Sequence, residues 1–349
     1  MKSIIAALAG AMTLATSFAA LAGAMTLATS FAAVSSEQVN IYSYRQPFLI
    51  DPVVKKFTEN TGIKVNVVFA KKGLAERLAR EGKHTKADIV LTTDISRLME
   101  LEDKGLVQAV NSEIINKNIP THLRDVENEW FALTTRVRNV FASKERITDT
   151  NISYEDLAGE AFKGKICTRS GKHPYNVALV ASMIAHHGYE GAKTWLSGVK
   201  ENLARKPQGN DRAQIKAVKE GQCDVALGNS YYFGKMVTDP KQKVAADAVN
   251  IVFPNQKNRG AHVNVSGMAL TKFSHNKEAA IKLMEYLTGE NAQNIYAQVN
   301  MEYPVNVAVK PSKLVASWGS FDADMLPMSK IASNRKLALK LLDEVKFDL

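Results

Sequence analysis

The stretch VNIYSYRQPFLIDPVVKKFTENTGIKVNVVF, residues 39–69, changes its hydrophobic period twice. Val39 to Ser43 alternates apolar and polar residues and reads as a strand. Pro52 to Asn60 repeats at helical spacing and stops at Gly62, and Ile63 to Phe69 returns to strand pattern. A strand, a helix and a strand in immediate succession make a βαβ unit, whose crossover lays the two strands parallel in one sheet. The alternation continues outward: a helix is predicted from Leu74 to Gly82, a strand over Ala87-Asp-Ile-Val-Leu91 and a helix from Ile95 to Gly105. In such an α/β layer, ligands sit at the carboxyl ends of the strands.

A second region starts near Trp130. The run from Trp130 to Ala142 is too long for an average strand and is predicted to cross between two lobes. Strands follow at Gly164–Thr168, Cys223–Leu227, Val249–Phe253 and His262–Leu270, among helices at Pro174–His187, Gly191–Asn202, Asp211–Glu220, Lys277–Leu287 and Leu337–Val345. Asp211-Arg-Ala-Gln214 resembles a capping box. No Pro- or Gly-rich linker divides the chain. Two α/β lobes joined by several crossings, the plan of a hinged periplasmic binding protein, therefore fit better than consecutive domains. The expected division is 36–134 with 264–306 for the N-lobe and 135–263 with 307–349 for the C-lobe.

The chain has 349 residues, 46% of them hydrophobic, which is the composition of a folded protein. Its net charge is +10, and the first 34 residues contain a single charge, Lys2, so the body is basic. The cations are scattered singly, without the blocks that mark a nucleic-acid-binding arm, and favour small anionic ligands or a negatively charged envelope. After Met1-Lys2 comes an uncharged Ala-, Leu- and Met-rich stretch ending in small residues before Ser35-Ser36-Glu37, the layout of a secretory signal over 1–32. Within it, LAGAMTLATSFAA at 8–20 recurs letter for letter at 21–33. Cleavage after Ala32 would leave a mature chain of about 317 residues in the periplasm; the alternative is an uncleaved membrane anchor. In such an oxidising compartment, two cysteines on strands, Cys167 and Cys223, are expected to form a disulfide rather than a metal or redox site.

The sequence contains no G-x-G-x-x-G, Walker A, H-E-x-x-H or G-x-S-x-G pattern, so catalysis lacks its usual support and no enzyme is expected. Ser170-Gly-Lys172 lacks the upstream glycine spacing of a phosphate loop. His186-His187 sits at a helix end before Gly188, where cations complete a helix C-terminus.

The segment Gly228-Asn-Ser-Tyr-Tyr-Phe-Gly234 follows the strand Cys223–Leu227 directly. Ser230 is suited to cap a helix beginning at Tyr231, which places Tyr231 and Tyr232 at the mouth of a strand-to-helix turn. Two such tyrosines are either a packed aromatic pair or ligands, and their place at a strand's carboxyl end favours the second. Pro174 suits the first turn of a helix and sets Tyr175 in the same position after the strand Ile166–Thr168. Three phenols at one cleft suit a hard, highly charged cation, with ferric iron the first choice, since zinc calls for Cys or His and calcium for carboxylates and carbonyls.

With these residues in view, the sequence resembles the periplasmic ferric-iron-binding proteins of ATP-binding-cassette importers. The resemblance rests on YSYRQPFLIDPVVKKFTENTGIKV at 42–65, ADIVLTTDISRL at 87–98, ENLARKPQGNDRAQIKAVKEG at 201–221, GNSYYFGKM at 228–236 and HVNVSGMAL at 262–270. It implies a two-lobed type II solute-binding fold, each lobe a mixed sheet flanked by helices, joined by a hinge and monomeric. Tyr175, Tyr231 and Tyr232 match the family's tyrosine ligands. Many members place a His-Tyr pair after the first strand; here Gln46 and Pro47 stand there, so the chain is similar to the branch in which three tyrosines hold iron and carbonate completes the coordination. Arg45, Gln46 and Arg136 are the implied anion holders, since a planar fork of donors matches a planar oxyanion. The alternative for Arg136 and Arg138 is one face of a surface strand. Arg205 is the implied support for a phenolate. Ferric iron with three phenolates sums to zero, so a bound carbonate leaves a negative cluster that calls for arginines nearby. The resemblance further implies closure of the lobes on iron and delivery to an inner-membrane permease. The alternatives are an anion- or organic-solute-binding protein of the same fold and, further off, a secreted enzyme.

Overall fold

Each β-α unit forms where the period places it, and the boundaries move by local chemistry. The computed structural model describes residues 37–349, which form one compact unit; the expected signal segment lies outside the described residues. In chain order the strands are β1 (Gln38–Ser43), β2 (Lys64–Phe69), β3 (Ile89–Thr92), β4 (Val107–Gln108), β5 (Phe131–Ser143), β6 (Ile166–Cys167), β7 (Val225–Asn229), β8 (Val249–Val252), β9 (Val263–Thr271) and β10 (Tyr303–Pro304). The principal helices are α1 (Pro47–Thr61), α2 (Leu74–Glu81), α3 (Ile95–Asp103), α4 (Glu113–Asn118), α5 (Pro174–Glu201, two helical segments meeting at a kink where Gly188 takes φ 70°), α6 (Asp211–Lys219), α7 (Ser230–Val237), α8 (Pro240–Asp247) and α9 (Lys277–Thr288). Among the described residues no helix is long and apolar enough to cross a membrane.

Helix α1 begins at Pro47 rather than Pro52, because a proline in the first turn costs no hydrogen bond and its φ is already helical. Gly62, with φ 73°, ends it in the left-handed conformation and returns its N–H to the Thr58 carbonyl at 2.9 Å. Helix α6 is capped by Asn210, whose side chain accepts from the Ala213 N–H, so the capping box expected at Asp211 is displaced by one residue and the Asp211 carboxylate is released for other use. Ser230 does not cap α7: Asn229 takes the N-cap position, and the Ser230 hydroxyl accepts instead from the Val137 N–H.

The strand order is β2-β1-β3-β9-β5-β7-β6. β1, β2 and β3 are parallel, β9 is antiparallel to both β3 and β5, and β5 is antiparallel to β7 and β8. The long run does cross. β5 is buried along its whole length and pairs with β9 as far as Val137, then with β7 from Arg138 and with β8 from Val140. The change of partners therefore falls between two adjacent residues, with Arg136 and Arg138 on either side.

Close approach at this crossing relies on glycine. A Cβ on Gly228 would meet the Phe141 ring at 2.5 Å, and one on Gly267 would meet Leu98 and the Phe131 carbonyl at 2.6 Å. Cys167 and Cys223 are joined in a disulfide with Cα atoms 5.8 Å apart. It lies in a small apolar cluster with Phe141, Phe233 and Met236, beneath the helix that carries the paired tyrosines.

Candidate metal centre

Three strand-to-helix turns from distant parts of the chain meet at one cleft of about 400 Å³. The first follows β1 and carries Gln46; the second opens α5 and carries Tyr175; the third opens α7 and carries Tyr231 and Tyr232. Tyr175, Tyr231 and Tyr232 all line this cleft. The Tyr175 and Tyr231 hydroxyls lie 3.1 Å apart, and the Tyr231 and Tyr232 rings pack with centroids 4.2 Å apart.

Tyr175 owes its position to the start of α5. Pro174 occupies the first turn, and the His173 side chain caps the helix by accepting from the Tyr175 N–H at 3.3 Å. The two rings meet edge to face at 4.5 Å. Burial and the nearby Arg169 charge push His173 down to about 3, so it stays neutral and remains an acceptor. Tyr175 itself is pushed up to about 12, chiefly by burial and then by the neighbouring Tyr232, while the Arg136 charge opposes the shift. Tyr231 is raised well above its ordinary value, again first by burial and then by Tyr175 and Tyr232. In the absence of a cation Tyr175 and Tyr231 are neutral. Among the described residues no group of three His, Cys, Asp or Glu side chains is placed to hold a metal ion.

Positive charge surrounds the phenols. The guanidinium carbons of Arg136 and Arg169 lie 5.9 and 5.5 Å from the Tyr175 ring centroid, and Lys71, Arg97, Arg212 and Lys235 line the cleft. Lys235 stands over the exposed Phe48 ring at 5.0 Å, joining α7 to α1 across the mouth.

The arginines expected to hold an anion are placed differently from one another. Gln46 is exposed and lines the cleft. Arg45 and Arg136 are both buried behind it and converge on the carboxylate of Glu302, Arg45 Nη2 at 2.7 Å and Arg136 Nη1 at 3.4 Å. Arg136 Nη2 also donates to the Thr93 and Val265 carbonyls. The Nε groups of both arginines are buried without a partner.

Two readings are corrected. Arg136 and Arg138 do not face solvent: each is 2% exposed, and Arg138 donates to Asp211 at 2.8 Å, Asn176 at 2.6 Å and Asn229 at 3.1 Å. Arg205 does not reach a phenol; it donates to Gln214 on α6 and to Gln222 just beyond that helix. The buried support is supplied by Asp211, which was legible only as a helix-start residue. Its carboxylate accepts from Arg138, from Arg169 at 3.0 Å and from the Asn229 N–H at 2.9 Å, tying the approach to Tyr175 to the turn before Tyr231. Glu302 had no local signal at all. His186 and His187, outside the cleft, are held by Asp324 at 2.6 Å and Glu155 at 2.7 Å. The Ser170–Gly171 turn is filled by the Asp348 carboxylate.

Comparison with known proteins agrees with this architecture. Residues 84–320 match the family model described as bacterial extracellular solute-binding protein. Iron uptake protein A1 of Synechocystis sp. is 41% identical over 312 residues, covering 88% of this chain and 87% of that protein. Ferric iron-binding protein A of Mannheimia haemolytica, solved in an open conformation, superposes with a TM-score of 0.86 at 52% identity, covering 90% of this chain and 99% of that one. The Trichodesmium protein solved in complex with iron and citrate superposes with a TM-score of 0.85 at 39% identity, covering 89% and 99%. The two-lobed type II fold expected from the sequence is the fold of these neighbours, and the chain belongs to the family of bacterial extracellular solute-binding proteins.

Proposed function

We propose that the chain captures ferric iron in the cleft, through the phenolate oxygens of Tyr175, Tyr231 and Tyr232, and hands it to an inner-membrane ATP-binding-cassette permease. The observation that carries this reading is the convergence of the three tyrosines from two helix starts, with two of their hydroxyls 3.1 Å apart. The iron-binding relatives support it, and so does the chemistry of the donor set, which offers hard oxygen without competing His, Cys or carboxylate.

In this reading the protein is a monomeric periplasmic carrier and performs no catalysis. The lobes, 36–134 with 264–306 and 135–263 with 307–349, close on the cargo, and the permease recognises the closed form. Iron binding displaces the phenolic protons, which burial otherwise retains, so the loaded state weakens as pH falls. Carbonate completes the coordination, with Gln46 at the cleft and Arg45 behind it as its first partners and the Arg136 charge opposing the negative cluster. Arg205 has no part in this account.

The test is a visible absorption spectrum of the purified protein with ferric citrate and bicarbonate, beside the Tyr231→Phe, Tyr232→Phe double variant. A phenolate-to-iron charge-transfer band in the wild type that is lost in the variant is the expected result. No band in the wild type would move the ligand to an anion or organic solute.

A further inference from the structure

Glu302 is 5% exposed and stands where an anion between Arg45 and Arg136 would stand. Its Oε2 accepts from Arg45 at 2.7 Å and from the Thr134 hydroxyl at 3.0 Å, and its Oε1 faces Arg136 at 3.4 Å. Two separate elements supply these partners, the turn after β1 and the crossing strand β5, and Glu302 itself stands at the corner before β10.

The backbone is shaped to deliver this carboxylate. A π-helical turn, Tyr296–Asn300, precedes it, and Met301 adopts φ 58°, a conformation that non-glycine residues rarely take. The helix of the paired tyrosines docks onto the same corner, where a Cβ on Gly234 would come within 2.7 Å of the Met301 sulfur. Burial alone would protonate a carboxyl here; the Arg45 and Arg136 charges and the hydrogen bonds from Arg45 and Thr134 outweigh it and hold Glu302 ionised.

We propose that Glu302 is a resident counter-anion: it positions the two arginines and cancels one of their charges, so that the cleft presents a net single positive charge from this cluster to an incoming anion. This deepens the iron-binding reading and makes a claim about the anion that is measurable without iron. With both guanidinium charges free, the pocket would favour a dianion strongly. With Glu302 in place it takes carbonate or hydrogencarbonate weakly and lets it leave, which suits a carrier that must release its cargo.

Glu302→Gln keeps the shape and removes the charge, and Thr134→Val loosens the carboxylate without changing charge. Bicarbonate binding to the iron-free wild type and both variants is measured by titration calorimetry, with circular dichroism and thermal melts as a check of folding. The expected result is binding at least tenfold tighter in Glu302→Gln and a smaller gain, about threefold, in Thr134→Val. Unchanged or weaker bicarbonate binding in a folded Glu302→Gln protein overturns the proposal and leaves Glu302 as an internal salt bridge; if that variant does not fold, an unchanged affinity in Thr134→Val overturns it equally. Because this readout needs no metal, loss of the visible iron band in the wild type would overturn the iron reading separately.

Discussion

Replacing Asp211 with alanine removes the one carboxylate that joins both tyrosine-bearing turns. Asp211 is fully buried, and its two oxygens accept from Arg138 at 2.8 Å, Arg169 at 3.0 Å and the Asn229 N–H at 2.9 Å. The alanine variant strands the Arg138 guanidinium, itself 2% exposed, with only amide oxygens for partners. Breaking a buried pair by deleting one member costs about 3–5 kcal/mol, because the remaining charge stays desolvated. For a chain of this size that corresponds to a melting temperature lower by roughly 5–10 °C. Asp211→Asn keeps an acceptor for the Asn229 N–H and should lose less. The diagnostic step is a second change: Arg138→Met in the Asp211→Ala background removes the stranded charge and should recover part of the loss, as a non-additive double-mutant cycle. Calorimetric melts of Asp211→Ala, Asp211→Asn, Arg138→Met, the Asp211→Ala, Arg138→Met double variant and the wild type read all of this. A melt of Asp211→Ala within about 1 °C of wild type, or a simple addition of losses on adding Arg138→Met, would refute the reasoning.

Further outcomes follow from the same geometry. In the iron-free protein Tyr175 ionises only near 12, pushed there first by burial and then by Tyr232, whereas an unfolded tyrosine ionises near 10. The folded chain therefore holds this proton longer, and the stability present below pH 10 declines as pH rises from 10 to 12. A tyrosinate absorbance titration compared with Tyr175→Phe checks it, and ionisation of Tyr175 complete by about pH 10.5 would contradict it. Reduction of Cys167–Cys223, which closes a loop of 56 residues, should cost about 4 kcal/mol in the chain-entropy account. A thiol assay on the native protein should find no reactive cysteine, and melts with and without reductant should separate.

The α/β layers and the crossing strand were legible because they depend on local period and length alone. The tyrosine turns were legible for a related reason: Asn229-Ser230 directly after a strand, and Pro174 a short turn after one, announce where a helix starts and which side chains stand at its mouth. Contacts that need distant segments left no local trace. Glu302 lies 257 residues from Arg45 and 166 from Arg136, and no spacing rule links them. Asp211 misled for the opposite reason, since an aspartate at a helix start reads as a cap; only the fold reveals that Asn210 caps and Asp211 pairs. Arg205 was carried by the resemblance of its loop rather than by geometry, and its two Nη groups donate to two glutamines.

The position of the two arginines on β5 explains how one strand can serve two lobes. Residues two apart on a strand share a face, yet Arg136 and Arg138 look to different neighbours because the pairing changes between Val137 and Arg138. Arg136 binds Glu302, Thr93 and Val265, all from the β1-β3-β9 side or the corner that docks on it. Arg138 binds Asp211, Asn176 and Asn229, all from the side that carries the tyrosines. Each half thus has its own buried ion cluster, and neither cluster is bridged by the other's arginine. The change of pairing at Val137–Arg138 separates two buried ion clusters that share no member. Tyr175 sits where the two fields overlap, with Arg136 at 5.9 Å on one side and Arg169 at 5.5 Å on the other. Arg136 is anchored on Glu302 and the Val265 carbonyl, whereas Arg169 is anchored through Asp211, so each cluster lends Tyr175 one charge.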